Sequence, residues 1–143
     1  MTKFYYGKKG KLVRDKIPAT HTADGHKLGV RRIDRAELAS AILGKVPEEL
    51  AELTAAYKMG DEKAEKKEIV DLKTLIDAYI AARGFNPADI EAVAQQKITT
   101  RGGFAEGYWI DWIDLKDNSA DGQRLLKKFR REPEKYVEEG NEN

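Results

Sequence analysis

Apolar residues fall at Leu38, Ile42, Val46, Leu50, Leu53 and Tyr57, then again at Ile69, Leu72, Leu75, Ile76, Tyr79 and Ile80. Steps of three and four positions bring such residues to one face of an α-helix, so the pattern predicts two amphipathic helices. Asp34 is placed to cap the first, with Glu37 three residues on as in a capping box. Gly60 ends it, Asp61 caps the second over Glu62 to Arg83, and Gly84 occupies the stop position. Gly44 and Pro47 interrupt the first series. Pro47 has no amide hydrogen, so the helix is expected either to kink or to restart with proline in its first turn.

Asn86-Pro87 opens a third helix that reaches the neighbourhood of Thr99, by the cap-then-proline signature. The stretch RGGFAEGYWIDWIDL, from Arg101 to Leu115, reads as a loop leading into a short strand or hairpin. Ser119 to Arg131 predicts a last short helix, stopped near Pro133, and the tail EEGNEN is expected to be disordered. Before the first long helix, Met1 to Gly10 is a polar and aromatic lead-in. Pro18 keeps any helix around Ile17 short. His21 to Val30, with Asp24, Gly25 and Gly29, suggests a turn or small hairpin. No internal repeat or interdomain linker is visible. The expected fold class is all-α, a bundle of about four main helices with a small loop or hairpin element, completed by oligomerisation.

Against this frame the acids stand out. KVPEELAEL, Lys45 to Leu53, places three carboxylates in five residues, and EIVD, Glu68 to Asp71, adds two more. At about 100° per residue, Glu49 lies in the row of Val46 and Leu53, Glu52 at the edge of the apolar stripe, and Glu48 well away from it. Glu68 shares the row of Leu72, Leu75 and Tyr79, with Asp71 at its border. The levels match too. Glu52 lies eight residues before Gly60 and Glu68 eight after it, while Glu49 and Asp71 are each eleven away. In an antiparallel hairpin turning at Gly60 the pairs face each other roughly 12 and 16 Å from the turn. One inward-facing cluster of four acids is expected.

Carboxylates gathered in a low-dielectric interior need positive charge among them. An all-oxygen set suits a hard cation, and Mg²⁺, with Mn²⁺ as a substitute, suits a site shared with substrate phosphates. The plainer alternative is a pair of solvated helix faces, since 36% of residues are charged and Lys45, Lys66, Lys67 and Lys73 stand nearby as surface partners. A second alternative is a protein-only network that recruits Lys97 or Arg101.

The whole chain changes this picture little. Its 143 residues suit one domain, and 26 Lys and Arg against 25 Asp and Glu give no warrant for a nucleic-acid polymer or a membrane as partner. There is no cysteine, so disulfides and thiolate metal sites are excluded. The start lacks an apolar signal core and no stretch approaches the length of a membrane span, so a cytoplasmic location is expected.

EELAE at Glu48 to Glu52, followed by EIVD at Glu68 to Asp71, resembles the EExxE and ExxD signature of the MazG-like all-α nucleoside triphosphate pyrophosphatases. KLVRDKIP at Lys11 to Pro18 and KITTRGGF at Lys97 to Phe104 are similar to the N-terminal and K-x3-RGGF elements of its phosphoribosyl-ATP pyrophosphohydrolase-like branch. The similarity spans residues 11 to 107 and leaves 108 to 143 as an extension of a single domain. The resemblance implies a helical bundle assembled as a homodimer or homotetramer. It also implies Mg²⁺-dependent hydrolysis of a nucleoside triphosphate between the α and β phosphates, to a monophosphate and pyrophosphate. Metal ligands would be Glu49, Glu52, Glu68 and Asp71. One of these four acids, with Glu49 and Glu52 the candidates, is then expected to take the proton of the attacking water.

Phosphates call for Lys or Arg, and Arg14, Lys16, Lys97 and Arg101 are the candidates, the last two on one helical face and followed by Gly102-Gly103. Surface ion pairing for Arg14 and Lys16 is the competing account. The alternatives within the class are phosphoribosyl-ATP, dUTP or noncanonical nucleotides as substrate. From another class, the chain is a non-catalytic nucleotide- or protein-binding helical module with a structural cation site. His21 and His26 read as loop residues, Tyr108 to Trp112 as core or subunit packing, and Lys127, Lys128, Arg130 and Arg131 as a solvated helix end.

Overall fold

The computed structural model describes residues 1–116 and 118–140. It is all-helical, with α1 (Ile17–Ala23), α2 (Arg35–Met59), α3 (Glu62–Arg83), α4 (Pro87–Arg101) and α5 (Ala120–Arg131). Two units are present, Met1–Arg101 and Gly102–Asn143.

In the first unit, α2 and α3 pack against each other as an antiparallel hairpin and form the main helix-to-helix contact. Its ends are set by local chemistry. Asp34 accepts a hydrogen bond from the Glu37 amide at 2.8 Å, and Asp61 accepts one from Ala64 at 3.0 Å. Gly60 closes α2 at φ 68°, where its lack of a Cβ makes the left-handed turn inexpensive. The amides of Gly60 and Asp61 then reach back to Tyr57 and Ala56, and Gly84 with Phe85 repeats the arrangement at the end of α3.

Pro47 neither ends nor restarts the helix: α2 is one element of 25 residues with the proline inside it. The hydrogen bond that proline cannot donate would have gone to the Leu43 carbonyl, and both Pro47 and Leu43 are exposed, so the bond is missing on the solvent side of the helix.

The hairpin buries Ala39, Ile42 and Ala56, with Ile42 the most enclosed. Leu38, Val46, Leu53, Leu72, Leu75, Tyr79 and Ile80 are half-buried between the helices. Leu50, Tyr57, Ile69 and Ile76, placed by their spacing in the same stripes, are exposed instead. Each stripe is wider than one neighbouring helix covers, so a two-helix hairpin shelters one side of it only.

Pro18 lies in the first turn of the short α1, which takes in His21, and the chain then turns at Asp24-Gly25 with the rings of His21 and His26 edge-on at 5.7 Å. α4 has no buried residue.

In the second unit the stretch after Gly103 is not a strand or hairpin; no strand occurs among the described residues. Phe104, Tyr108, Trp109, Ile110 and Trp112 are exposed, and an extended segment without a partner has no ladder to hold it. Ser119 caps α5 by accepting from the Gly122 amide. Beyond the helix, Phe129 stacks on Tyr136 at 4.0 Å and Arg130 grips Glu138 through two hydrogen bonds of 2.9 and 2.6 Å. The start of the expected disordered tail is therefore tethered at Glu138, and 141–143 lie outside the described residues.

Candidate metal centre

On α2 the buried line is Ile42, Glu49 and Ala56, spaced by seven residues and thus on almost one bearing around the axis. Glu49 occupies a core position. On α3 the buried residue is Glu68, and Asp71 follows one turn later, half-buried. Glu49 and Glu68 are each 6% exposed, and the three acids offer carboxylate oxygens that all lie within 4.8 Å of one another.

Three side-chain cations meet these acids. Lys45 donates to Glu49 at 2.8 Å from one turn earlier on α2. Lys67 donates to Glu68 Oε1 at 2.8 Å and to Asp71 Oδ2 at 3.3 Å. Arg14, from the non-helical segment before α1, donates to Asp71 Oδ1 and stands 3.5 Å from the Thr74 hydroxyl. The consequences appear in the acidities. The hydrogen bond from Lys45 holds the Glu49 carboxyl below its ordinary value although burial pushes it up. Arg14, and after it Lys67, does the same for Asp71. Lys67 in turn is held well above the usual lysine range by Glu68 and then Asp71.

One oxygen is left over. Glu68 Oε2 is buried and has no hydrogen-bond partner among the described residues. A buried carboxylate oxygen without a donor carries a desolvation cost that a bound cation removes. The donor set fits such a cation: oxygens only, from two opposed helices, at a spacing that one hard divalent ion spans.

The cluster holds three acids rather than four. Glu52 is exposed, about 60° around the axis from the Glu49 row, and Asp71 is offset from Glu68 by the same angle. Asp71 is covered by Arg14 and Lys67; among the described residues nothing covers Glu52. Glu48 is exposed as its bearing required, with Lys45 3.8 Å away.

Of the expected phosphate ligands, Arg14 alone reaches the acids. Lys16 sits exposed at the start of α1. Lys97 and Arg101 are exposed on α4, which has no more than passing contact with α2 or α3, and neither makes an ion pair among the described residues. The charge network therefore uses Arg14, Lys45 and Lys67, not Lys97 or Arg101. Lys45 was readable from its four-residue spacing to Glu49, and Lys67 from the same spacing to Asp71. The link from Arg14 to Asp71 spans 57 residues, and no local pattern signals it.

The chain matches no known protein family, no curated protein and no solved structure.

Proposed function

We propose that the chain is a Mg²⁺-dependent nucleoside triphosphate pyrophosphohydrolase that cleaves between the α and β phosphates. The observation that carries this reading is the buried, partnerless Glu68 Oε2 inside a group of three acids drawn from two facing helices. The order of the KLVRDKIP, EELAE, EIVD and RGGF stretches, with their resemblance to the MazG-like enzymes, supplies the reaction class.

Glu49, Glu68 and Asp71 hold the cation, Mg²⁺ or Mn²⁺. Glu52 joins them from the exposed flank, where its carboxylate faces arriving ligand. When bound, the cation neutralises charge on the phosphoryl oxygens and makes a nearby water more acidic. Glu49 or Glu52 takes the proton of the attacking water, and Glu52, with no ion pair among the described residues, is the freer to do so. As water adds, the bridging P–O bond between α and β phosphates breaks and pyrophosphate leaves. Arg14, Lys16, Lys97 and Arg101 supply positive charge to the phosphates, as charge-assisted donors suited to anionic oxygens.

A homodimer or homotetramer belongs to this reading. Leu43, Leu50 and Tyr57 form an exposed line along α2, at seven-residue spacing, beside the buried line that carries Glu49. A second copy of the hairpin covers such a line. Among the described residues no helix is long and apolar enough to cross a membrane, and a cytoplasmic site of action is part of the proposal.

A second reading has an observation of its own. Lys45, Lys67 and Arg14 already set three positive charges against three acids, which suits a non-catalytic nucleotide- or protein-binding module with a structural charge cluster. Pyrophosphate release separates the two. The test is release from a panel of ribo- and deoxyribonucleoside triphosphates, dUTP and phosphoribosyl-ATP, with Mg²⁺ and with chelator, beside Glu68→Gln. Release that needs Mg²⁺ and vanishes in the variant supports the enzyme; none from any substrate overturns it.

A further inference from the structure

Two of the three counter-charges at the acids belong to the hairpin itself. Lys45 and Lys67 sit four residues from Glu49 and Asp71 on the same helices, so they accompany the site whatever occupies it. Arg14 is different. It arrives from a segment with no helical structure and closes on the one acid of the three that is itself partly open; its side chain is 55% exposed, and that of Lys67, which stays on α3, 65%. An ion pair that exposed is worth little in water and is readily exchanged.

We propose that Arg14 is an exchangeable counter-ion: it neutralises Asp71 while no cation is bound, and passes to a phosphate of the ligand once a divalent cation takes Asp71. This rests on the metal reading of the site above. The argument is one of competition for an oxygen. Asp71 Oδ1 accepts from Arg14, and Oδ2 from Lys67, so a cation reaching Asp71 must displace a donor or share with it. Lys67 also holds Glu68 at 2.8 Å and rides on α3 beside both acids, so Arg14 is the donor that can leave the site. Once displaced, its guanidinium is a planar fork of N–H groups matched to phosphate oxygens, and the anion nearest to it is the one that rides on the same cation. Occupancy of the acids thereby sets whether the N-terminal segment is engaged with α3 or with ligand, and the loading order is cation before phosphate.

The test is an NMR titration of the full chain and of Arg14→Gln, first with Mg²⁺ alone and then with inorganic pyrophosphate at saturating Mg²⁺. Backbone amides of α3 report occupancy, and the Arg14 Nε–H resonance, assigned by its loss in the variant, reports the exchange. The expected result is a crossover. Arg14→Gln binds Mg²⁺ tighter by roughly two- to fivefold, the worth of an exposed ion pair, and binds pyrophosphate weaker by about tenfold, the worth of a charged hydrogen bond. In the wild type the Arg14 resonance moves with the same saturation curve as the α3 amides. A variant that binds Mg²⁺ more weakly, or both ligands unchanged, overturns the exchange and leaves the metal site standing. The same holds for an Arg14 resonance unmoved at saturation, or for no pyrophosphate binding by the Mg²⁺-loaded wild type. Amides of α3 that ignore Mg²⁺ overturn both the exchange and the reading beneath it.

Discussion

Glu49 on α2 and Glu68 on α3 are each about nine-tenths buried and bring carboxylate oxygens within 4.8 Å of one another across the hairpin. Two like charges at that separation repel in a partly desolvated site; Lys45 more than offsets this for Glu49, whose carboxyl is held below its ordinary value, whereas Glu68 keeps one buried oxygen without a donor among the described residues.

Neutralising one of them should therefore not weaken the empty protein. In chelator, Glu68→Gln is expected to melt at or above the wild-type temperature, while Mg²⁺ raises the melting temperature of the wild type and not of the variant. Differential scanning calorimetry with and without Mg²⁺ checks both. A variant that unfolds in chelator shows that Glu68 is a structural ion-pair partner of Lys67 above all.

Pro47 lies inside α2 and gives up one backbone hydrogen bond. Pro47→Ala restores the donor to the Leu43 carbonyl, and a gain of about 1–3 kcal/mol is expected. Urea unfolding measures it. Since Pro47 is exposed and Glu49 is held by its own packing, Mg²⁺ affinity should stay the same.

Arg31 holds Glu37 through hydrogen bonds of 3.2 and 2.6 Å, and this lowers the Glu37 carboxyl from its ordinary value. For a lowered carboxyl the contribution is fully present above its unfolded-state value and is lost as pH falls through the folded value. In a pH titration of the Glu37 carboxyl carbon by NMR, Arg31→Gln should move the midpoint upward. An unchanged midpoint means the pair is not formed in solution.

Leu50 is exposed midway along the line from Leu43 to Tyr57. Leu50→Glu should leave helix content intact and shift the chain to monomer in sedimentation equilibrium. A wild type that is itself monomeric at the highest concentration removes the subunit role of this line.

The helices were legible because their signals are local. Asp34, Gly60, Asp61 and Gly84 cap and stop where a single-sequence reading places them, and the angular arithmetic brings Glu49, Glu68 and Asp71 together. The arithmetic misplaces Glu52 because an offset of about 60° from the buried row leaves a side chain buried or exposed according to what covers it. Arg14 covers Asp71, and that contact is non-local. The exposed Leu50 and Ile69 have the same origin: spacing tells which side of a helix is apolar, not how many neighbours are there to bury it. The strand expected after Gly103 fails for a related reason, as aromatic and β-branched composition supplies propensity and not a partner strand.

The interior of the Met1–Arg101 unit is small, and of its five buried residues Glu49 and Glu68 are two. Heat capacity of unfolding follows apolar surface, so a chain that hides so little of it has a shallow stability curve and a small dependence on denaturant. Packing then supplies a small share of its stability, and how the buried acids are neutralised weighs the more. Under the metal reading, the melting temperature of this protein gauges the occupancy of its acids.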